Sequence, residues 1–331
     1  MKNKYRNWFM LSGILAVVLM VCTMRMDYSE IGRSLLRAGI WFPAVLLLWI
    51  FVYLLNACSW YLIINDGKKY PIPFWKVYKL SVSGFALNYT TPCGLMGGEP
   101  YRIMELAPYT GVSKASSSVI LYVMMHIFSH IWFWFLSIFL YIFMYPVSLS
   151  MALLLAVVGA CCLLAVFFFL KGYRAGMMLK ALGLLKKVPF LRKRASGFLE
   201  SKRETLVRID EQIALLHGQH KKTFYSSLVL EFMARLLSSL EIYFVLRAFS
   251  AEVSVGDAVL ILAFSSLFSN LIFFSPMQLG AREGGLALAV GGLHLSGALG
   301  VYTGLITRVR ELVWIAIGIV LIKIGNSKQN T

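Results

Sequence analysis

Asn88-Tyr89-Thr90-Thr91-Pro92-Cys93-Gly94-Leu95-Met96-Gly97-Gly98-Glu99-Pro100-Tyr101-Arg102 lies between long apolar runs, yet it carries two prolines, three glycines and two charges. A bilayer core holds no water to satisfy a broken backbone, so such a stretch must be buried in protein or face a cavity. A second stretch repeats the pattern late in the chain, Asn270 to Gly284, with Pro276, Leu279, Gly280, Arg282 and Glu283. Both contain Pro-x-x-Leu-x-x-x-Glu, as Pro92, Leu95, Glu99 and as Pro276, Leu279, Glu283.

The surrounding composition sets the class. Of 331 residues, 59% are hydrophobic and 14% charged, with a mean hydropathy of +0.73. Soluble chains are nearer half apolar and a quarter charged. The net charge of +17 does not point to nucleic acid. The basic residues gather between the spans, as cytoplasmic loops require, and form no nucleic-acid-binding motif. Cys22, Cys58, Cys93, Cys161 and Cys162 sit in or beside apolar runs, without disulfide or metal spacing. The approach to Cys22 resembles a lipoprotein signal, but Val21 is not small and no A-x-A-like site appears, so residues 8–26 read as an uncleaved span.

Apolar runs at about 8–26, 42–64, 115–145, 149–170, 224–246 and 298–322 are long enough to span. Ile31, Leu35 and Leu36 suggest a short interfacial helix after the first. Phe74–Tyr89 and Ala258–Phe274 are short for spanning. Each is followed by a second short helix, near Glu99–Ala107 and Gly284–Leu295. Pro100 suits the first turn of the former, and Pro108 and Gly111 are expected to end it. Residues 171–222 hold thirteen basic and four acidic residues, which places them in the cytoplasm, as amphipathic helices on the inner leaflet or as topology markers.

Counting sides then makes 74–113 enter and return from the cytoplasm, and 258–295 from outside. The expected fold is an all-α polytopic membrane helical bundle with about six full spans and two re-entrant broken-helix hairpins in an inverted repeat. It is one membrane domain over 1–331, with repeat 1 at about 41–170, a basic loop at 171–222 and repeat 2 at about 223–325. Two pairs of full spans in place of the hairpins would also close the count. Both termini are expected in the cytoplasm and the protein in the inner membrane.

Ionisable side chains at membrane depth mark sites or pathways by default. Glu99 and Glu283 lead the candidates, against the alternative that each caps its half-helix. Gly97, Gly98 and Gly280 permit close approach of an anion to helix amino termini. Arg102 and Arg282 either contact phosphate or pair locally with Glu105 and Glu283. Arg308 is expected at a cavity, and Glu231 with Arg235 as a structural pair. His126 and His130 share a helix face, but Ile127 replaces the Glu of His-Glu-x-x-His, so proton coupling or polar packing outweighs a metal. No catalytic motif and no cofactor fingerprint is present in the sequence.

Asn88, Pro92, Gly98-Glu99, Arg102, then Pro276, Leu279-Gly280, Glu283 and Arg308 resemble the lysylphosphatidylglycerol synthase transmembrane region, a flippase-like family. The resemblance runs from the first span to Ile322. In bifunctional members it implies a region that flips aminoacylated phosphatidylglycerol, made by a separate soluble domain from aminoacyl-tRNA. The chain ends at Thr331, so synthesis is not implied, and His126 and His130 stand where a basic–acidic pair is expected. The implied function is a lipid translocase for an anionic or aminoacylated phospholipid or another lipid-linked substrate. Its substrate-binding residues would be Asn88, Pro92, Gly97, Gly98, Glu99, Arg102, Asn270, Pro276, Gly280, Arg282, Glu283 and Arg308. The alternatives are an accessory subunit that presents lipid to a transferase docked on 171–222, and a membrane transferase using Glu99 or the histidines.

Overall fold

A computed structural model describes residues 32–33, 36–90, 97–173, 207, 211, 220–249, 251–271, 281–293 and 295–324, without the side chains of Thr90, Gly172 and Tyr173. The first span, Cys22, Pro92, Cys93, Leu95, Pro276, Leu279, Gly280, most of the basic loop 171–222 and the two break points therefore lie outside the described residues. The described elements are helices: α1 (Trp41–Ile64), α2 (Phe74–Thr90), α3 (Gly98–Thr110), α4 (Val112–Met144), α5 (Leu149–Tyr173), α6 (Lys221–Ala248), α7 (Val255–Leu271), α8 (Ala281–Gly292) and α9 (Gly297–Lys323).

Three of these, α1, α4 and α5, are long and apolar enough to cross a membrane. The chain is a multi-pass membrane protein on these spans. Helices α6 and α9 have the length, 28 and 27 residues, but carry charges along their interior turns. Those charges are turned into the protein: Glu231, Glu241, Arg308, Arg310 and Glu311 are buried. At 1.5 Å per residue, α2 and α7, with 17 residues each, reach only about 25 Å, short of a ~30 Å hydrocarbon core. Helices α3 and α8 are shorter still, at 13 and 12 residues.

One boundary differs from the sequence expectation. Pro108 does not end α3 but lies inside it, and the helix runs to Thr110. The terminator is Gly111 alone, whose φ of 81° breaks the helix while its N–H still reaches Ala107 O at 2.8 Å.

Packing follows a two-fold pattern. Helix α1 packs against α6; α2 packs on α9, as α7 packs on α4; α2–α3–α4 and α7–α8–α9 are matching chains of contacts. Exchanging α1 with α6, α2 with α7, α3 with α8 and α4 with α9 leaves this set of neighbours unchanged. Only α5 stands outside it, touching α4 and exposing most of its apolar surface. The α1–α6 seam is drawn tight by small residues: Ser59 Oγ donates to Ser227 O at 3.2 Å and Ser227 Oγ donates back to Ser59 O at 3.4 Å.

The end of α4 is tied to the start of α7. Ser254 and Asp257 form a reciprocal cap, with Ser254 N–H to Asp257 Oδ2 at 2.8 Å and Asp257 N–H to Ser254 Oγ at 3.1 Å. Tyr145, just beyond α4, donates its hydroxyl to Asp257 Oδ1 at 2.7 Å. Burial and this bond push the phenol up to about 12 from its ordinary 10. Because the folded value is raised, the bond stabilises fully below pH 10 and is lost as pH climbs toward 12. Tyr145→Phe should lower stability by about 1 kcal/mol at pH 8. The difference from wild type should vanish between pH 10 and 12, read by thermal melting in detergent.

Candidate functional site

The first cluster forms where α2 meets α3. Asn88 Oδ1 accepts the Gly98 N–H at 2.6 Å, and its amide donates to Glu99 Oε1 at 2.9 Å. One asparagine thus caps the amino terminus of α3 and holds its first carboxylate. The Gly98 amide, which the sequence offers to an anion, is thereby occupied by the protein. A Cβ on Gly98 would stand 2.1 Å from Gly84 O, so the two glycines let the α2 and α3 backbones touch.

Gly84 also makes room for Arg102, whose Nε would lie 2.2 Å from a Cβ there. Arg102 is buried between the rings of Trp60 and Tyr122, 5.6 and 5.2 Å away. It donates to Leu80 O and Ser81 O at 3.4 and 3.2 Å and sits 3.7 Å from Glu99. Its local partner is therefore Glu99 rather than Glu105, which binds Lys76 at 3.1 Å. Glu99 keeps 25% of its side chain accessible.

The second cluster joins α8, α9, α6 and α1. Arg282 pairs with Glu311, not with its neighbour Glu283. Arg308 lies between Glu283 at 2.8 Å and Glu311 at 3.2 Å. Arg310 grips Glu241 with two bonds of 2.9 and 2.8 Å and lies 3.8 Å over the ring of Trp49, which itself donates to Glu241 at 3.0 Å. Arg308, Arg310 and Glu311 are each 1% exposed. Arg308, expected at a cavity, lies between two carboxylates. Three guanidiniums meet three carboxylates, so the network is neutral within itself. Such pairing is what makes buried charge tolerable.

A third group sits on α4 and α6. His126 Nδ1 is 2.8 Å from Glu231 Oε2, and Arg235 reaches His126 Nε2 at 3.3 Å. The expected Glu231–Arg235 pair is thus corrected: the i,i+4 partners do not bridge directly, because the imidazole is inserted between them. His130 stacks edge-on against His126 with ring centres 5.3 Å apart.

The three groups adjoin. Tyr122 lies within electrostatic reach of Glu99, Arg102, Glu231 and Arg235. Tyr89 is within reach of Arg282, Arg308, Arg310 and Glu311, and Arg235 is within reach of Tyr89. Asn270, by contrast, is exposed at the end of α7 and bonds its own helix at Ser266 O. Pro92, Pro276 and Gly280 lie outside the described residues. Sequence reasoning did not select Trp49, Tyr89 or Tyr122 for the site. Their only signal was polarity within apolar runs. The described residues hold no grouping of three or more His, Cys, Asp or Glu suited to a metal.

An open groove lies elsewhere, between α4 and α5. It is apolar, about 570 Å³, and lined by residues such as Phe135, Phe139 and Leu155. It has no polar group with which to recognise a head group.

The match to known proteins is one of family. The family model described as "Lysylphosphatidylglycerol synthase TM region" matches residues 9–318. No curated protein and no solved structure matches.

Proposed function

The chain belongs to the lysylphosphatidylglycerol synthase TM region family, and from that premise we propose that it carries a phospholipid or other lipid-linked head group across the membrane it spans. One observation carries the reading. Five carboxylates (Glu99, Glu231, Glu241, Glu283, Glu311) and five guanidiniums (Arg102, Arg235, Arg282, Arg308, Arg310) adjoin inside a bundle whose outer helices are apolar. A protein that only needed to fold in lipid would have little use for them, since buried ion pairs are weak sources of stability.

In this reading, α2–α3 and α7–α8 are re-entrant hairpins of an inverted repeat, and the exchange symmetry of the packing supports it. Glu99, Arg102, Arg282 and Glu283, at the starts of α3 and α8, receive the head group, with Arg308 behind them. The partly accessible Glu99 and Glu283 are the groups that meet it first. The membrane is the inner one, with both chain ends on the cytoplasmic side.

The test is lipid movement in liposomes. Vesicles carrying fluorescent phosphatidylglycerol should lose asymmetry at least tenfold faster with the protein than without, read by a leaflet-specific quencher. Glu99→Gln and Glu283→Gln should each remove most of that rate. No acceleration across several anionic and aminoacylated lipids would overturn the proposal.

A further inference from the structure

The five interior arginines are not equally occupied. Arg102 has two carbonyls, a carboxylate and two rings. Arg282, Arg308 and Arg310 each hold at least one carboxylate. Arg235 has neither carboxylate nor carbonyl within bonding distance among the described residues. Its bond is to His126 Nε2, at a long 3.3 Å, and its Nε is buried without an acceptor.

That bond fixes the state of the imidazole. A guanidinium only donates, so Nε2 of His126 must accept. The hydrogen is therefore on Nδ1, donated to Glu231 Oε2 at 2.8 Å. His126 is neutral in this arrangement, and the one position left for a second proton is covered by Arg235. Protonating Nε2 and moving Arg235 away are then a single event. Glu231 is 0% exposed, while His126 keeps 42% of its side chain accessible.

The sequence singles out the same position. His126 stands 27 residues after Glu99, as Arg310 stands 27 residues after Glu283. Each follows its hairpin glutamate onto the next long helix, and each bonds a glutamate of α6, Glu231 for His126 and Glu241 for Arg310. One repeat thus places a permanent cation where the other places a titratable one.

Resting on the transport reading above, we infer that Arg235 is the residue that takes the phosphodiester of the head group, and that its transfer from His126 to that phosphate lets His126 accept one proton on Nε2. The charges balance. Glu231 and Arg235 sum to zero before; adding one phosphodiester anion and one proton leaves the site neutral. Imidazolium then takes over from Arg235 as the cation beside buried Glu231, as Arg310 is for Glu241. The other ionisable groups near His126 are His130 and Tyr122 on α4, and Glu99 and Arg102 of α3 behind Tyr122. No ionisable side chain of α1, α5 or α7 is bonded to it among the described residues.

The experiment measures binding and proton uptake with the purified full chain in detergent. The solution is weakly buffered at pH 7.5 with an indicator dye, and dihexanoyl-phosphatidylglycerol is titrated in. Wild type should take up about one proton per lipid bound. His126→Gln should take up none and bind several-fold more weakly than wild type, because no imidazolium then compensates Glu231 once Arg235 has moved. Arg235→Gln should bind at least tenfold more weakly, with Arg235→Lys recovering part of the loss. Dimethyl phosphate distinguishes the source of the anion: uptake with it as well means the site reads the diester itself, and uptake with the lipid alone means it reads the diester within a lipid. No uptake by wild type, or undiminished uptake by His126→Gln, would overturn the inference. If Arg235→Gln fails to fold by its melting curve, the other two variants decide. Uptake without lipid movement in liposomes overturns the transport reading alone. Lipid movement without uptake overturns this inference alone.

Discussion

Glu311→Gln should destabilise the protein by about 3–5 kcal/mol, the cost of leaving buried charge uncompensated, and so lower the melting temperature in detergent more than any other single polar substitution. Glu311 is 1% exposed and faces three guanidiniums: it bonds Arg282, lies 3.2 Å from Arg308 and 3.9 Å from Arg310. Neutralising it leaves those three cations with two carboxylates, Glu283 and Glu241. Arg282 is the natural second change, because Glu311 is its carboxylate partner and its own side chain is 20% accessible. Arg282→Gln combined with Glu311→Gln restores neutrality. The double variant should therefore melt above Glu311→Gln alone, with a coupling energy of at least about 1 kcal/mol in the cycle. If the two losses simply add, the six residues do not act as one charge-balanced unit.

That network also shows where the sequence stops being informative. The four short helices could be read in advance, since Pro92 and Pro276 each follow an apolar run of sixteen or seventeen residues, below the roughly twenty usual for a span. The long helices were equally legible from apolar length. The partners were not. Arg282 and Glu283 are adjacent, which invites a local pair, but neighbouring positions on a helix point about 100° apart. Arg282 therefore reaches Glu311 across the α8–α9 contact. Glu231 and Arg235 have the right helical spacing to pair, and would on an isolated helix. The long-range contact with α4 inserts His126 between them. Trp49 and Glu241 meet across 192 positions of chain. Spacing carries information about one helix, while these contacts depend on how α1, α6 and α9 cross. Pro108 is the converse case: a proline read as a terminator is accommodated inside α3, and Gly111 with its positive φ does the terminating.

The glycines that set those crossings give the second large effect. Gly98→Ala should destabilise by about 3 kcal/mol, at the upper end of the range for overpacking, because the new Cβ would meet backbone rather than a side chain that can turn aside. The clash is with Gly84 O at 2.1 Å and with the Asn88 Oδ1 that caps the same residue at 2.8 Å. Relief requires α3 to separate from α2, and that shift carries Glu99 and Arg102 with it. Gly84 offers no slack, since its own open side is filled by the Arg102 guanidinium. Lipid movement in liposomes should consequently fall at least tenfold even at temperatures where the variant remains folded. Gly284→Ala supplies the contrast. It lies in α8 next to Glu283, yet a Cβ there meets nothing within 4 Å among the described residues. A helical glycine without a steric role is less favourable than alanine by about 1 kcal/mol, so this variant should melt slightly higher than wild type. Melting curves of the two variants side by side separate close backbone approach from helix propensity. If Gly98→Ala behaved like Gly284→Ala, the α2–α3 crossing would not depend on the missing side chain, and the hold that Asn88 exerts on Glu99 would need another origin.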